Sequence, residues 1–372
     1  MVRDKEQIRH IYIHVPFCVR KCGYCSFYSK EPQVDELEGF IETLLSEIEY
    51  YKSIFELKCE TIYLGGGTPS LLDQRQLDSI INQIPRSSNC EITLEANPGD
   101  ITKTLITSWK NTGVNRVSIG LQSMKNKELE FLGRRHSVED NFKAIEKLKD
   151  GGIDNISFDL IYGLPGQNLP DVEYSIKEYL KLSPGHISTY CLSLSDDCLL
   201  ADQRKNLPSD ETLSDMYFLI RSMLLSSDWQ QYELSSFCKE DRESKHNLAY
   251  WRQKKYLGCG PSAAGYVSGF RYQNPASYNQ WHKEINASKY LNDQENIDEI
   301  LREKEYIILG LRTIKGLKIS DFFNEFRTDF PVKYREILVK YRKLKLVEED
   351  DGYIRLMPNG YFISNEILSD FV

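Results

Sequence analysis

No stretch of this sequence holds the roughly 18 consecutive apolar residues of a membrane span. Its N-terminus, MVRDKEQIRHIYIHV, carries charges where a secretory leader carries an apolar core, so a cytoplasmic protein is expected. An excess of basic residues is also missing. Against 55 Asp and Glu stand 47 Lys and Arg, a net charge of −8 over 372 residues, and a nucleic-acid partner would need a basic face that this balance does not provide. Internal repeats and low-complexity tracts are absent. Cysteine lacks pairing logic: Cys59, Cys90, Cys191, Cys198, Cys238 and Cys259 are scattered, as free thiols of a reducing compartment would be.

The first half alternates between two periodicities. RHIYIHV, ETIYLGG, EITLEAN, RVSIGLQS, NISFDLIYG and HISTYCLS read as buried strands rich in Ile, Val, Tyr and Thr. Between them, DELEGFIETLLSEIEYYKSI, DQRQLDSIINQI, KTLITSWKNTG, SVEDNFKAIEKLKDGG and DVEYSIKEYLKLSPG have the helical period, and several open on Asp or Ser and close on Gly. That rhythm predicts parallel strands joined by crossover helices. HVPFC, GGGTPS, EANP, GLQS, FDLIYGLPGQ and YCLS each fall at the carboxyl end of a strand. Six ends feeding one site favour a barrel, because a doubly wound sheet gathers its site at a single switch point. The expected fold is α/β: a partial (β/α)6 TIM-type barrel over 1–235, an irregular lid or linker over 236–297 and a small helical domain over 298–372. In the last, three helices and a hairpin turned at Asp351-Gly352 give a winged-helix-like outline. The acidic EEDD before that turn assigns it to packing rather than to DNA.

Chemistry concentrates first in CVRKCGYCSF, where Cys18, Cys22 and Cys25 follow a C-x3-C-x2-C spacing. A structural zinc ion would need a fourth ligand, with His14 or a distant cysteine as candidates. Three thiolates suit a [4Fe-4S] cluster better, since they hold three irons and leave the fourth open. The spacing resembles the signature of radical S-adenosylmethionine (SAM) enzymes, which implies that SAM occupies the open iron. Other strand ends supply what such a site needs. Gly65-Gly66-Gly67-Thr68-Pro69 offers bare backbone to an amino or carboxylate group and lacks the continuation of a phosphate loop. Glu95 and Asp159 could accept from an ammonium or ribose hydroxyls, and Gln122 and Arg134 could hold a carboxylate and ribose. Each alone is also an ordinary loop residue; together, at successive strand ends, they mark a site.

YIHVPFC, GGGTPS, the glutamate of EANP, NRVSIGLQS, LGRRH and FDLIYGLPGQ resemble the oxygen-independent coproporphyrinogen III oxidase group across nearly the whole chain. The resemblance implies SAM contacts at Tyr12, Tyr24, Gly66, Gly67, Thr68, Glu95, Gln122, Arg134 and Asp159. That group contains two functions. Its oxidases extend the cysteine motif to C-x3-C-x2-C-x-C, where this chain has Phe27, and carry a long N-terminal arm where it has about ten residues. His246-Asn247-Leu248-Ala249-Tyr250-Trp251 matches the HNxxYW motif of HemW-type haem chaperones, which implies haem binding by His246, Tyr250 and Trp251. An imidazole beside two aromatics suits an axial ligand with a flat apolar surface, although the same pattern describes a hydrogen-bonded packing histidine. One departure stands out: the family pattern G-x-G-P-S-A-H ends here on Ala264, with Cys259 next door as a candidate substitute ligand.

The expected function is therefore that of a haem chaperone carrying [4Fe-4S] and SAM, without a catalytic residue and without coproporphyrinogen oxidase activity. The alternative is the oxidase itself, converting coproporphyrinogen III to protoporphyrinogen IX by radical decarboxylation. A third reading is a radical SAM enzyme acting on an unrelated small substrate. The partners implied are haem, haem-acceptor proteins such as membrane respiratory complexes, and an electron donor; any membrane contact is expected to be peripheral, through a partner.

Overall fold

The computed structural model describes residues 5–291 and 293–372, which gather into two compact units. One comprises the chain up to Met216 together with Lys255–Asn296; the other comprises Tyr217–Lys254 and Ile297–Val372. In the first, strands and helices alternate as β1 (Gln7–Val15), α1 (Glu36–Ile54), β2 (Glu56–Gly66), α2 (Gln74–Gln83), β3 (Arg86–Ala96) and α3 (Lys103–Thr112). They continue as β4 (Arg116–Gln122), α4 (Asn126–Phe131), α5 (Val138–Asp150), β5 (Ile156–Tyr162), α6 (Leu169–Leu182) and β6 (His186–Cys191). Helix α7 (Asp210–Leu225) carries the boundary, and β7 (Gln230–Glu233), β8 (Ser236–Cys238) and α8 (Lys245–Trp251) fall in the second unit. The chain then returns to the first with β9 (Leu257–Cys259), β10 (Ala264–Val267), β11 (Phe270–Gln273), α9 (Tyr278–Asn286) and β12 (Glu295–Asn296).

Local sequence sets the helix starts. Asp73, Ser137 and Asn168 close capping boxes at the heads of α2, α5 and α6, each satisfying an amide that the helix itself leaves unpaired. The strands they separate pair in parallel in the order β6-β5-β4-β3-β2-β1, the open six-stranded barrel that the sequence predicts. A short seventh strand, β9, adds in parallel to the outer edge of β1, with Ile11 opposite Leu257 and Ile13 opposite Cys259.

Strand alternation divides this sheet into two chemically opposed faces. Ile11, Ile13 and Val15 on β1, Ile62 and Leu64 on β2, Leu94 on β3, Val117 and Ile119 on β4 and Phe158 on β5 are all buried. Such residues contribute about 1.5–3 kcal/mol each. The intervening residues are polar and nevertheless withdrawn from water: His10 and His14, Thr61, Thr93, Arg116 and Ser118, Ser157, His186 and Ser188. A buried polar group must find a partner. His10 Nδ1 meets Thr61 Oγ1 at 3.0 Å, His186 Nδ1 meets Ser157 Oγ at 2.8 Å, and Tyr63 donates to Glu95 Oε1 at 2.8 Å.

The segment expected to stand alone over 236–297 does not do so. Its first part clusters with the C-terminal residues, while Lys255–Asn296 completes the barrel unit. The reason is a buried carboxylate. Glu47 of α1 accepts from Gly260 N at 2.8 Å and Trp281 Nε1 at 3.2 Å through Oε2, and from Asn274 Nδ2 at 2.6 Å and Tyr51 Oη at 3.2 Å through Oε1. These donors clamp the loop after β9, the end of β11 and α9 onto α1. Burial nevertheless outweighs them and pushes the carboxyl up to about 7.

In the second unit, β7 and β8 form an antiparallel hairpin, and α10 (Glu299–Leu311) is followed by β13 (Leu317–Lys318), α11 (Ile319–Phe326), α12 (Phe330–Lys333) and α13 (Arg335–Lys343). The expected hairpin is present as β14 (Val347–Asp350) and β15 (Tyr353–Leu356), turned by Asp351 and Gly352 at φ 48° and 75°. Two successive positive φ values are what a two-residue turn between twisted strands demands. With β13 on the far edge of β15, the outline is winged-helix-like. No helix among the described residues is long and apolar enough to cross a membrane.

Glu47→Gln puts an amide NH2 where a carboxylate oxygen now faces two donors, and is expected to destabilise the barrel unit by about 2–4 kcal/mol. A carboxyl raised above its unfolded value contributes stability that is lost as pH rises through about 7. Thermal denaturation should therefore show a larger gap between wild type and variant at pH 6 than at pH 8.

Candidate functional site

The three cysteines of the C-x3-C-x2-C motif lie on the loop that leaves β1. Backbone bonds pin it at several points: Cys18 N to Lys30 O at 2.9 Å, Gly23 N to Leu132 O at 3.1 Å, and Leu200 N to Gly23 O at 3.0 Å. Each sulfur receives one donor. Thr68 Oγ1 lies 3.4 Å from Cys18 Sγ, Arg134 Nη1 lies 3.4 Å from Cys22 Sγ, and the amide of Phe27 donates to Cys25. Burial and the neighbouring sulfurs of Cys22 and Cys18 still push the Cys25 thiol up, so three thiolates gather here most readily around a cation. That donor set fits a cluster bound by thiolate. Among the described residues no three His, Cys, Asp or Glu side chains stand ready to hold a single metal ion. His14, the candidate fourth ligand for zinc, has both ring nitrogens engaged, with Tyr12 Oη at 3.0 Å and Tyr28 O at 2.8 Å. Phe27, where the oxidases have a fourth cysteine, is 63% exposed.

The residues expected to contact SAM converge on the inner face and its rim. Gly66, at φ 100°, packs against the His14 ring so closely that a Cβ would lie 2.6 Å from it. At Gly67 a Cβ would lie 2.6 Å from Phe17 O and 2.8 Å from Val15 O. Glu95 on β3 accepts from Tyr63 Oη and, at 3.2 Å, from Gly66 N; burial raises its carboxyl. Asp159 on β5 is pushed up to about 7 by burial and by the charge of Glu95, against the opposing pull of Arg116. Tyr12 and Tyr24 are half-buried phenols, both raised mainly by desolvation.

Gln122 ends β4 at a break in the strand register, with φ 65°, and its Oε1 is buried without a partner. Arg134 spans three parts of the site, donating to Cys22 Sγ, to Asn97 Oδ1 at 2.7 Å and to Gly120 O at 2.8 Å, while its Nε is buried and unpartnered. Side chains of both residues occupy the space beside Gly120, where a Cβ would meet Gln122 Nε2 at 2.7 Å and Arg134 Nη2 at 3.0 Å. Unpartnered buried atoms beside a bare backbone fit a polar ligand such as SAM. A cavity of about 190 Å³ opens beside Cys22 between Thr68, Asn97, Arg134 and His136, whose imidazole is lowered to about 4 by burial and Arg134.

Sequence reasoning missed Asn97, Tyr63 and Arg116. Their signal was strand alternation: Tyr63 lies two residues before Gly65, and Arg116 four before Gly120, on the same face.

The histidine of HNLAYW lies on α8. His246 is 1% exposed, and its Nε2 lies 2.8 Å from Tyr250 Oη on the next turn of α8, with the two rings edge to face at 4.9 Å. In this conformation Nε2 is engaged by Tyr250, the hydrogen-bonded arrangement that the sequence pattern also describes. Trp251 packs against Tyr232, Cys238 and Leu248, and the Arg312 guanidinium lies 6.0 Å from its ring. Cys259, the candidate substitute ligand, is fully buried beside Glu47 and Cys59, its thiol held well above the usual range.

Residues 12–178 match the radical SAM superfamily, and residues 298–363 match the HemN C-terminal domain. The chain is 33% identical to the heme chaperone HemW of Lactococcus lactis, over 97% of this chain and 96% of that one. It is 31% identical to the Bacillus subtilis heme chaperone HemW, over 98% and 99% of the two chains. Among solved structures, Escherichia coli coproporphyrinogen III oxidase (HemN), a radical SAM enzyme, superposes with a TM-score of 0.87 at 20% identity, over all of this chain and 91% of that one.

Gly67→Ala would drive a methyl into the carbonyls of Val15 and Phe17. It is expected to cost about 1–3 kcal/mol. A lower Tm and less iron retained after anaerobic reconstitution would show it, and an unchanged Tm would contradict it.

Proposed function

The chain belongs to the HemW family of radical SAM proteins, and on that premise we propose that it is a haem chaperone, one that binds haem and hands it to acceptor proteins. The observation that carries the reading is likeness to heme chaperones HemW at 31–33% identity over nearly the full length. Phe27 in place of a fourth cysteine supports the chaperone over the oxidase. In this reading Cys18, Cys22 and Cys25 hold a [4Fe-4S] cluster, with Thr68, Arg134 and the Phe27 amide donating to the sulfurs. Tyr12, Tyr24, Gly66, Gly67, Thr68, Glu95, Gln122, Arg134 and Asp159 form the SAM site. Bound together there, cluster and SAM supply one-electron reductive chemistry.

Within that site, Gly66 and Gly67 present backbone without a side chain in the way. Glu95 and Asp159 supply acceptors for a cationic ligand, while Arg134 joins the cysteine loop to β3 and β4. Haem is cargo and meets the second unit at α8. Tyr250 and Trp251 supply aromatic surface, and for His246 to ligate iron through Nε2 its bond to Tyr250 must part. Acceptors are haem-binding respiratory proteins, the location is cytoplasmic, and contact with a membrane is through a partner.

Haem titration of cluster-reconstituted protein should give saturable binding, and His246→Ala should weaken it at least about tenfold. Identical spectra and affinities for the two proteins would remove His246 as a ligand. In an anaerobic assay with reductant, SAM and coproporphyrinogen III, no protoporphyrinogen IX is expected. Its appearance would establish the oxidase instead, and failure to bind any tetrapyrrole would point to a different small substrate.

A further inference from the structure

Arg116 opens β4 within the stretch NRVSIGLQS, and the function proposed above does not use it. It is 2% exposed, among the largest fully buried side chains, and its Nε has no hydrogen-bond partner. Removing a guanidinium from water costs several kcal/mol unless anions answer it. By strand register Arg116 pairs with Thr93, whose buried Oγ1 is likewise unpartnered, and two residues further up the same face are Glu95 and Ser118. Asp159 and Ser188 pair across the next strands. The guanidinium charge reaches Glu95 and Asp159, drawing both carboxyls down against burial.

We infer that Arg116 is a positioning residue of the SAM site, the buried counter-ion that favours ionisation of the Glu95–Asp159 pair so that the site meets a cationic ligand with negative charge. The inference rests on the SAM reading above. Two carboxylates in one half-buried site oppose each other's ionisation. One fixed cation below them leaves a surplus of one negative charge when both are ionised. SAM, with a sulfonium, an ammonium and a carboxylate, carries one net positive charge and complements that surplus.

The other groups facing the pair do not substitute. From β1, β2 and the cysteine loop come Tyr12, Tyr63 and Tyr24, phenols that burial holds neutral. From β6, His186 is buried, bonded to Ser157 and held well below its usual range by desolvation and by Arg116 itself. Tyr179 of α6, also neutral, donates to the Asp159 backbone. Arg134 is the other cation: it donates to Cys22, Asn97 and Gly120, and its charge helps draw Asp159 down behind that of Arg116, whereas at Glu95 the cation that acts is Arg116.

Binding should follow ionisation of the pair. Asp159 takes up a proton as pH falls through about 7, so affinity for SAM falls there and rises on the alkaline side. The test is calorimetric titration of reconstituted wild type, Arg116→Met and Arg116→Lys with SAM from pH 6 to 9, with Tm as a check on folding. Arg116→Met is expected to weaken binding at least about tenfold at pH 7, to shift the midpoint of the profile upward by about one unit and to recover by pH 9; Arg116→Lys should fall between it and wild type. Profiles superimposable on wild type would overturn the inference, as would an equal loss at every pH in a folded variant. If Arg116→Met does not fold, an Arg116→Lys profile unshifted from wild type overturns it alone. A wild type that fails to bind SAM at any pH would remove the cofactor reading and this inference with it.

Discussion

Glu95, held between the phenol of Tyr63 and the amide of Gly66, joins the parallel sheet to the site it carries. A carboxylate half-buried on the inner side of a sheet is tolerable only when neighbouring strands aim donors at it, and here β2 supplies both: a side chain from its middle and a backbone N–H from its end. The second donor exists because Gly66 takes a conformation that leaves its amide pointing inward. Sheet register, glycine and carboxylate are thus mutually dependent. The same reasoning extends across the inner face, where His10 with Thr61 and His186 with Ser157 are matched pairs. A conventional barrel fills its interior with branched apolar side chains; this one keeps that volume polar.

Arg134 plays the corresponding part at the rim. Its contacts with Cys22, Asn97 and Gly120 tie a mobile kind of structure, a cysteine-bearing loop, to two strands of the rigid sheet. Gly120 is without a side chain because the planar ends of Arg134 and Gln122 fill its space. The cysteines therefore belong to a lattice of contacts reaching β4, and their placement is inherited from the barrel.

Much of this was legible in the sequence where chemistry and periodicity coincide. Strands such as RVSIGLQS could be read because alternation and unusual residues fall in one stretch, and β4 follows that reading to within a residue. The cysteine spacing was readable because three ligands on a short loop are a local property. Less legible were features whose cause lies far away in the chain. Leu257–Cys259 is too short to show a period and becomes a strand only because β1 has an open edge. Arg116 looks like an ordinary surface residue at the start of a strand, and only the assembled inner face shows that it is buried. His246 was read as a ligand through its motif, and the motif does not reveal that the turn of α8 brings Tyr250 onto its Nε2.

The pairing of β1 with β9 has a consequence for how the protein is made. Once synthesised, β1 finds its outer neighbour only when residues near 257 emerge. At roughly 5–20 residues per second, that interval is on the order of 12–50 s. Throughout it, the outer edge of β1 offers unsatisfied backbone donors and acceptors to any strand of another chain. A nascent chain of this kind carries an open strand edge until the segment that holds β9 arrives, so slower elongation lengthens the interval in which that edge is open to other chains.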